Sequence, residues 1–97
     1  MYALSVMYDI DPARREDFIR FALAHAERCL AREEGCLEFR VFQSPDNPDS
    51  FYFHEVYADR AALEEVHATT EYLAEFRSTI TPWTRRREVH TWKSVGR

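Results

Sequence analysis

The chain has 97 residues, which is enough for one domain spanning residues 1–97 and too few for a second independent core. Thirteen Lys and Arg residues against 17 Asp and Glu residues give a formal net charge of -4, the wrong sign for a protein that binds nucleic acid through its phosphates. No apolar run approaches the roughly 20 residues that cross a bilayer, and the N-terminus lacks the pattern of a signal peptide. The sequence therefore predicts a cytoplasmic protein without nucleic-acid or membrane partners.

The two cysteines, Cys29 and Cys36, fit neither a Cys-x-x-Cys redox pair nor a zinc knuckle. In a reducing compartment such thiols stay free, and we expect both to be small buried apolar residues. The His, Cys, Asp and Glu residues show no spacing typical of metal ligands, and there is no glycine-rich phosphate loop. The sequence therefore predicts no metal and no cofactor.

The first two predicted elements are a strand and a long helix. Residues 2–8 alternate in the period of a strand and are rich in strand formers. Asp11 followed by Pro12 is typical of a helix start, and we expect the helix to run to about Glu34 and Gly35 to end it in a left-handed conformation. One broad arc of the helical wheel collects its apolar residues: Phe18, Ile19, Ala22, Leu23, Ala26, Cys29 and Leu30.

The second half of the chain repeats the alternation of strands and a helix. Residues 36–42 and 51–57 alternate as strands, and the turn formers of residues 44–50 join them into a hairpin. A helical stretch over residues 60–67 is interrupted at Thr69 and Thr70, continues over residues 71–79 and stops at Pro82. Residues 86–95 alternate again and predict a last strand.

The resulting order, βαββαβ, predicts a ferredoxin-like α+β fold with both helices on one face of a four-stranded antiparallel sheet. The other face also carries apolar residues, among them Phe42, Tyr52, Val56 and Trp92. A sheet that is apolar on both faces must be covered twice. We therefore expect a homodimer in which two sheets pack together.

Four segments together resemble the antibiotic biosynthesis monooxygenase family of dimeric α/β barrels: EEGCLEFRVFQ at residues 33–43, PDNP at 45–48, FHEVYAD at 53–59 and HATTEY at 67–72. The resemblance implies a fold shared by cofactor-independent quinol or anthrone monooxygenases, certain haem-degrading enzymes and an isomerase of the phosphorylated autoinducer-2 signal. The haem-degrading branch would have tryptophan ten residues before the helix histidine and asparagine in the first strand. Tyr57 and the absence of asparagine from residues 1–10 disfavour haem cleavage.

His67 and Glu55 are the candidate catalytic residues. His67 shares a helix face with Leu63, which should point its imidazole into the space between helices and sheet, where it could accept a proton at neutral pH. Glu55 shares a strand face with aromatic side chains, so it either orients the histidine or has its proton affinity raised by burial. The alternatives are a hydrogen-bonded core histidine and a strand-end glutamate bonded to the backbone.

Aromatic residues are the candidates for substrate binding. We expect the walls of a mostly apolar pocket to include His25, Phe53, Tyr57, Tyr72 and Trp83. Plain core packing is the alternative for the aromatic residues, and surface exposure is the alternative for His25. His54 and His90 fall on the opposite strand faces and are expected to lie at the dimer interface.

The run from Arg85 to Arg87 could hold an anionic group of a substrate or could be a solvated strand edge. Our leading hypothesis is a cofactor-independent monooxygenase that oxidises a small quinol-type aromatic, with His67 as base and Glu55 orienting it. The arginines motivate a second hypothesis, an isomerase of a small phosphorylated dione. A third is a non-catalytic dimeric module that binds a small molecule.

Overall fold

The structure is a computed structural model, and it describes residues 1–96. Four strands and two α-helices make up most of the chain: β1 (Tyr2–Ile10), α1 (Arg15–Arg32), β2 (Cys36–Gln43), β3 (Ser50–Tyr57), α2 (Glu71–Ile80) and β4 (Thr84–Lys93). The strand order is β2-β3-β1-β4, and every neighbouring pair is antiparallel. This is the predicted ferredoxin-like α+β fold. No helix of residues 1–96 is long and apolar enough to span a membrane.

Strand alternation decides which side chains face the helices. Register pairs Val6 of β1 with Phe53 of β3 on one side and with Val89 of β4 on the other, so these three residues share a sheet face. The helix-covered face buries every second residue of the two central strands. Those residues are Leu4, Val6, Tyr8 and Ile10 of β1 and Phe51, Phe53, Glu55 and Tyr57 of β3.

The buried stripe of α1 is narrower than its apolar arc. Phe18, Ala22 and Cys29 are buried as expected, whereas Leu23 is 50% and Leu30 is 44% exposed. The first turn also differs from the prediction, because Pro12–Arg14 form a 3-10 turn before α1 begins. Both cysteines are buried and free, as predicted.

The prediction that Gly35 ends α1 in a left-handed conformation was wrong. Within residues 1–96 a positive φ occurs only at Gly96, so Gly35 is not in the left-handed region. A Cβ at Gly35 would instead lie 2.6 Å from the Cβ of Ala62. Glycine is needed there because two segments of backbone approach closely.

Residues 60–67 are helical, as the sequence predicts, but the helix is irregular. Ala62–Val66 form a π-helical turn and His67–Thr69 a 3-10 turn. Thr70 then caps α2, its Oγ1 accepting a hydrogen bond of 3.3 Å from the amide of Leu73. The interruption at Thr69 and Thr70 was predicted, but the π turn before it was not.

The sheet face away from the helices carries half-exposed apolar side chains. Phe42 is 48% and Trp92 is 58% exposed, while Tyr52 and Val56 are partly buried. His54 and His90 also lie on this face, since they pair through Ser5 of β1. The homodimer that would cover this surface stays a prediction.

The close approach of Gly35 to Ala62 predicts a specific double-mutant result. Two carbon atoms pack best at roughly 3.5–4.0 Å, so Gly35→Ala should lower the free energy of unfolding by about 1–3 kcal/mol in urea titrations. Gly35→Ala combined with Ala62→Gly removes one of the clashing atoms and should recover part of the loss. Strictly additive losses in the two single variants and the double variant would contradict this explanation.

Candidate functional site

The centre of the site is the imidazole of His67, which is 3% exposed. Its Nδ1 lies 2.9 Å from Oε1 and 3.1 Å from Oε2 of Glu33, a residue just beyond α1 that is 4% exposed. The hydroxyl of Tyr72 also donates to this carboxylate. Because a carboxylate can only accept, the bond to Glu33 places a hydrogen on Nδ1 of His67, and Nε2 is left on the side of Glu55.

A second buried carboxylate lies on the other side of the imidazole. Oε1 of Glu55 is 3.7 Å from Nε2 of His67 and accepts a hydrogen bond of 2.5 Å from the hydroxyl of Tyr57. Burial raises the pKa of Glu55 from its ordinary value of 4.5 to about 7, while the bond from Tyr57 acts in the opposite direction. A carboxyl group that titrates near neutral pH can exchange protons with a bound molecule.

His25 closes a third side of the site. Its ring stacks on Phe76 with centroids 4.2 Å apart and lies 6.0 Å from the ring of His67. Burial, with a smaller effect from His67, lowers the pKa of His25 to about 4. His25 is therefore a neutral side chain at physiological pH.

One group of side chains in residues 1–96 could hold a metal ion. His25, Cys29 and His67 bring ligand-type atoms that all lie within 4.8 Å of one another. The sequence prediction missed this group because His67 joins the pair from α1 only in the fold. A metal would require the thiolate of Cys29, and burial raises the pKa of this thiol and favours its neutral form.

Two spaces of very different size meet at this site. The inner cavity, which His25, Glu55 and His67 line together with apolar side chains, has a volume of about 20 Å³. That is room for about one water molecule. An outer pocket of about 460 Å³ lies between α2 and β4, and this is within the range of small-molecule sites.

Three side chains are common to the two spaces. Tyr8, Arg77 and Arg87 line both the inner cavity and the outer pocket. We call these three residues the mouth of the inner cavity. These three residues lie between the outer pocket and the inner cavity that His67 lines.

The chain matches a known protein family over most of its length. The family model described as antibiotic biosynthesis monooxygenase matches residues 1–78. The chain belongs to this family.

Several solved and curated proteins are similar to this chain. A crystal structure of an antibiotic biosynthesis monooxygenase is 25% identical, with a TM-score of 0.88 over 98% of this chain and 99% of that one. A candidate antibiotic biosynthesis monooxygenase from Nitrosomonas europaea is 25% identical, with a TM-score of 0.90 and the same coverage of 98% and 99%. An uncharacterized protein of Synechocystis sp. is 33% identical over 67 residues, which are 69% of this chain and 44% of that protein. The chain thus spans less than half the length of this curated relative.

The structure brings four of the five predicted substrate-binding residues to the site. Phe53 and His25 line the inner cavity with His67 and Glu55. Tyr57 and Tyr72 reach the site through their hydroxyl groups, which donate to Glu55 and Glu33 respectively.

Trp83 lies apart from the inner cavity. Its ring contacts Phe21 at a centroid distance of 5.7 Å and Arg14 at 5.4 Å.

The sequence predicted a mostly apolar pocket, but the space beside His67 is small and partly polar.

Two residues of the site were missed from the sequence, Glu33 and Arg77. Glu33 follows Cys29 by four positions and so extends the buried stripe of α1, which was the available signal. Arg77 follows Leu73 by four positions on α2 in the same way. Glu33, rather than the expected Glu55, makes the hydrogen bond to His67.

The raised pKa of Glu55 predicts a pH-dependent stability difference. Between about pH 4.5 and 7 the folded protein keeps the Glu55 proton that the unfolded chain releases, so the folded state loses stability as the pH rises. The unfolding free energy of Glu55→Gln relative to wild type should therefore rise by on the order of 3 kcal/mol across this window. Urea titrations at several pH values measure the difference.

The exposed residue Glu65 provides the matched control, since Glu65→Gln removes one negative charge outside the site. A difference between Glu55→Gln and wild type that stays constant from pH 4.5 to 8 would contradict the assignment.

Proposed function

We propose that this protein is a monooxygenase that needs no cofactor and oxidises a small hydroxylated aromatic compound, such as a quinol, with dioxygen. Membership of the antibiotic biosynthesis monooxygenase family supports the reaction class. The observation that carries the proposal is the buried His67, whose Nδ1 is bonded to Glu33 and whose Nε2 lies on the cavity side, 3.7 Å from Glu55.

In this proposal His67 is the base. A carboxylate on Nδ1 fixes the tautomer and the ring orientation and stabilises the imidazolium that forms when Nε2 takes a proton. Glu33 fills this positioning role, and Tyr72 holds Glu33 in turn. Glu55 lies on the side where the substrate hydroxyl arrives, and it can exchange a proton there because its pKa is about 7.

The deprotonated substrate supplies all the electrons of the reaction. Four electrons pass from the quinol to dioxygen, one oxygen atom is bonded to the ring, and the other leaves as water. The product is a hydroxyquinone, and the proton held by His67 returns to the departing oxygen. The protein therefore has to provide a base, a shaped site and exclusion of water.

The sizes of the two spaces suggest how the substrate lies. An aromatic ring exceeds the inner cavity of about 20 Å³ but fits the outer pocket of about 460 Å³. We place the ring in the outer pocket, with the reacting hydroxyl directed through the mouth towards His67. Phe53 supplies an apolar wall of the inner cavity. A second copy of the chain would cover the open sheet face.

Oxygen uptake with a panel of quinols tests the proposal. His67→Gln should lower the turnover number by roughly 10²–10⁴-fold, because a positioned base contributes about that much. Glu33→Gln should give a smaller loss, since the base remains but its orientation is weakened. Glu65→Gln, which changes an exposed residue outside both the site and the open sheet face, is the control.

Circular dichroism of each variant separates loss of the base from loss of the fold. Folded His67→Gln protein with wild-type oxygen uptake would remove His67 from the mechanism. Wild-type protein that consumes no oxygen with any quinol would remove the reaction itself.

An isomerase of a small phosphorylated dione is the second candidate. The observation that favours it is the set of arginines around the outer pocket, Arg77 and Arg85 to Arg87, which suit an anionic substrate. The same base could move a proton along a dione chain without dioxygen. Turnover of such a dione under anaerobic conditions, with no oxygen uptake on quinols, would favour this candidate over the first.

A further inference from the structure

The mouth of the inner cavity brings together two arginines from different elements. Arg77 belongs to α2 and Arg87 to β4, and both line the inner cavity as well as the outer pocket. Strand register pairs Arg87 with Tyr8 of β1, the third residue of the mouth. The fold therefore places two guanidinium groups between the outer pocket and the inner cavity that His67 lines.

These two arginines differ from their neighbours in how their charge is balanced. Arg85 forms an ion pair of 3.5 Å with Asp11, and Arg86 forms one of 3.4 Å with Glu88. Within residues 1–96 neither Arg77 nor Arg87 forms an ion pair. In a chain of net charge -4, two guanidinium groups that line one pocket without an ion-pair partner among residues 1–96 form a local positive site.

We propose that the mouth binds an oxyanion of the substrate, a carboxylate or a phosphate, between Arg77 and Arg87. Guanidinium groups present planar pairs of donors that match the oxygens of both anions. The oxyanion takes no part in bond making and serves to hold the substrate. The inference rests on the proposed function in one respect, which is that His67 marks the reacting end of the substrate.

The volumes on either side of the mouth agree with this arrangement. The outer pocket of about 460 Å³ has room for a ring that carries a charged substituent, whereas the inner cavity of about 20 Å³ does not. The two guanidinium groups also act on Glu55, where both oppose the rise of its pKa that burial causes. The anion site and the proton-exchanging group are therefore electrostatically connected.

Two matched pairs of probes test the proposal by calorimetry without dioxygen, so that no turnover occurs. The first pair is 2,5-dihydroxybenzoate and hydroquinone, which differ by a carboxylate. The second is phenyl phosphate and phenol, which differ by a phosphate. We expect the anionic member of at least one pair to bind roughly tenfold or more tightly than its neutral partner, which corresponds to about 1.4 kcal/mol.

Variants of the two arginines locate the effect. Arg77→Gln and Arg87→Gln should each reduce the advantage of the anionic probe by roughly tenfold and change the affinity for the neutral probe less than about twofold. Arg20→Gln, which removes an exposed arginine of α1, should leave both affinities within about twofold of wild type. Circular dichroism checks that each variant is folded.

The outcomes separate this inference from the proposed function. Equal binding of anionic and neutral probes in both pairs would overturn the oxyanion site, and so would an equal loss for both members of a pair in Arg77→Gln and Arg87→Gln. A carboxylate advantage or a phosphate advantage identifies which oxyanion the mouth takes. If the arginine variants remove that advantage but no quinol supports oxygen uptake, the oxyanion site stands and the proposed reaction fails.

Discussion

The hydrogen bond between His67 and Glu33 is the contact on which the rest of the site depends. A carboxylate that is 4% exposed has lost most of its hydration and needs partners inside the protein. His67 and Tyr72 supply them, and within residues 1–96 no buried side-chain nitrogen or oxygen lacks a hydrogen-bond partner. Such a network is stable only when it is complete, because removing one partner of a buried charged pair costs about 3–5 kcal/mol.

The irregular segment of residues 62–69 is what brings His67 to Glu33. A π turn takes more residues per turn than an α-helix, so it rotates the residues after it by roughly one residue, or about 100°. The Cβ of Ala62, at the start of this segment, lies against Gly35, two residues after Glu33. The close backbone approach at Gly35 and the polar contact at Glu33 therefore hold the same two segments together, one through shape and the other through hydrogen bonding.

The sequence was sufficient for the fold because strand alternation, helix caps and turn residues are local signals. The alternation of residues 2–8 predicted β1, whose residues Leu4, Val6 and Tyr8 are buried, and the predicted interruption at Thr69 and Thr70 coincides with the start of α2. Contacts between distant segments were harder to predict. Glu33 is a helix-end acid in the sequence and becomes a partner of His67 only because residues 62–69 fold over it. The predicted left-handed conformation of Gly35 was wrong because the reason for a glycine at this position is a contact with a distant residue. That residue is Ala62, which lies 27 positions further along the chain.

The charges at the mouth and the proton on Glu55 influence each other. Burial disfavours the ionised form of Glu55, whereas the positive charges of Arg77 and Arg87 favour it. An oxyanion bound between these arginines would cancel part of their charge, so Glu55 would keep its proton to a higher pH when the mouth is filled. A protonated Glu55 beside Nε2 of His67 would leave the imidazole as the stronger proton acceptor on that side of the cavity. The binding of an anionic substrate would thereby assign the roles of acid and base to two neighbouring groups.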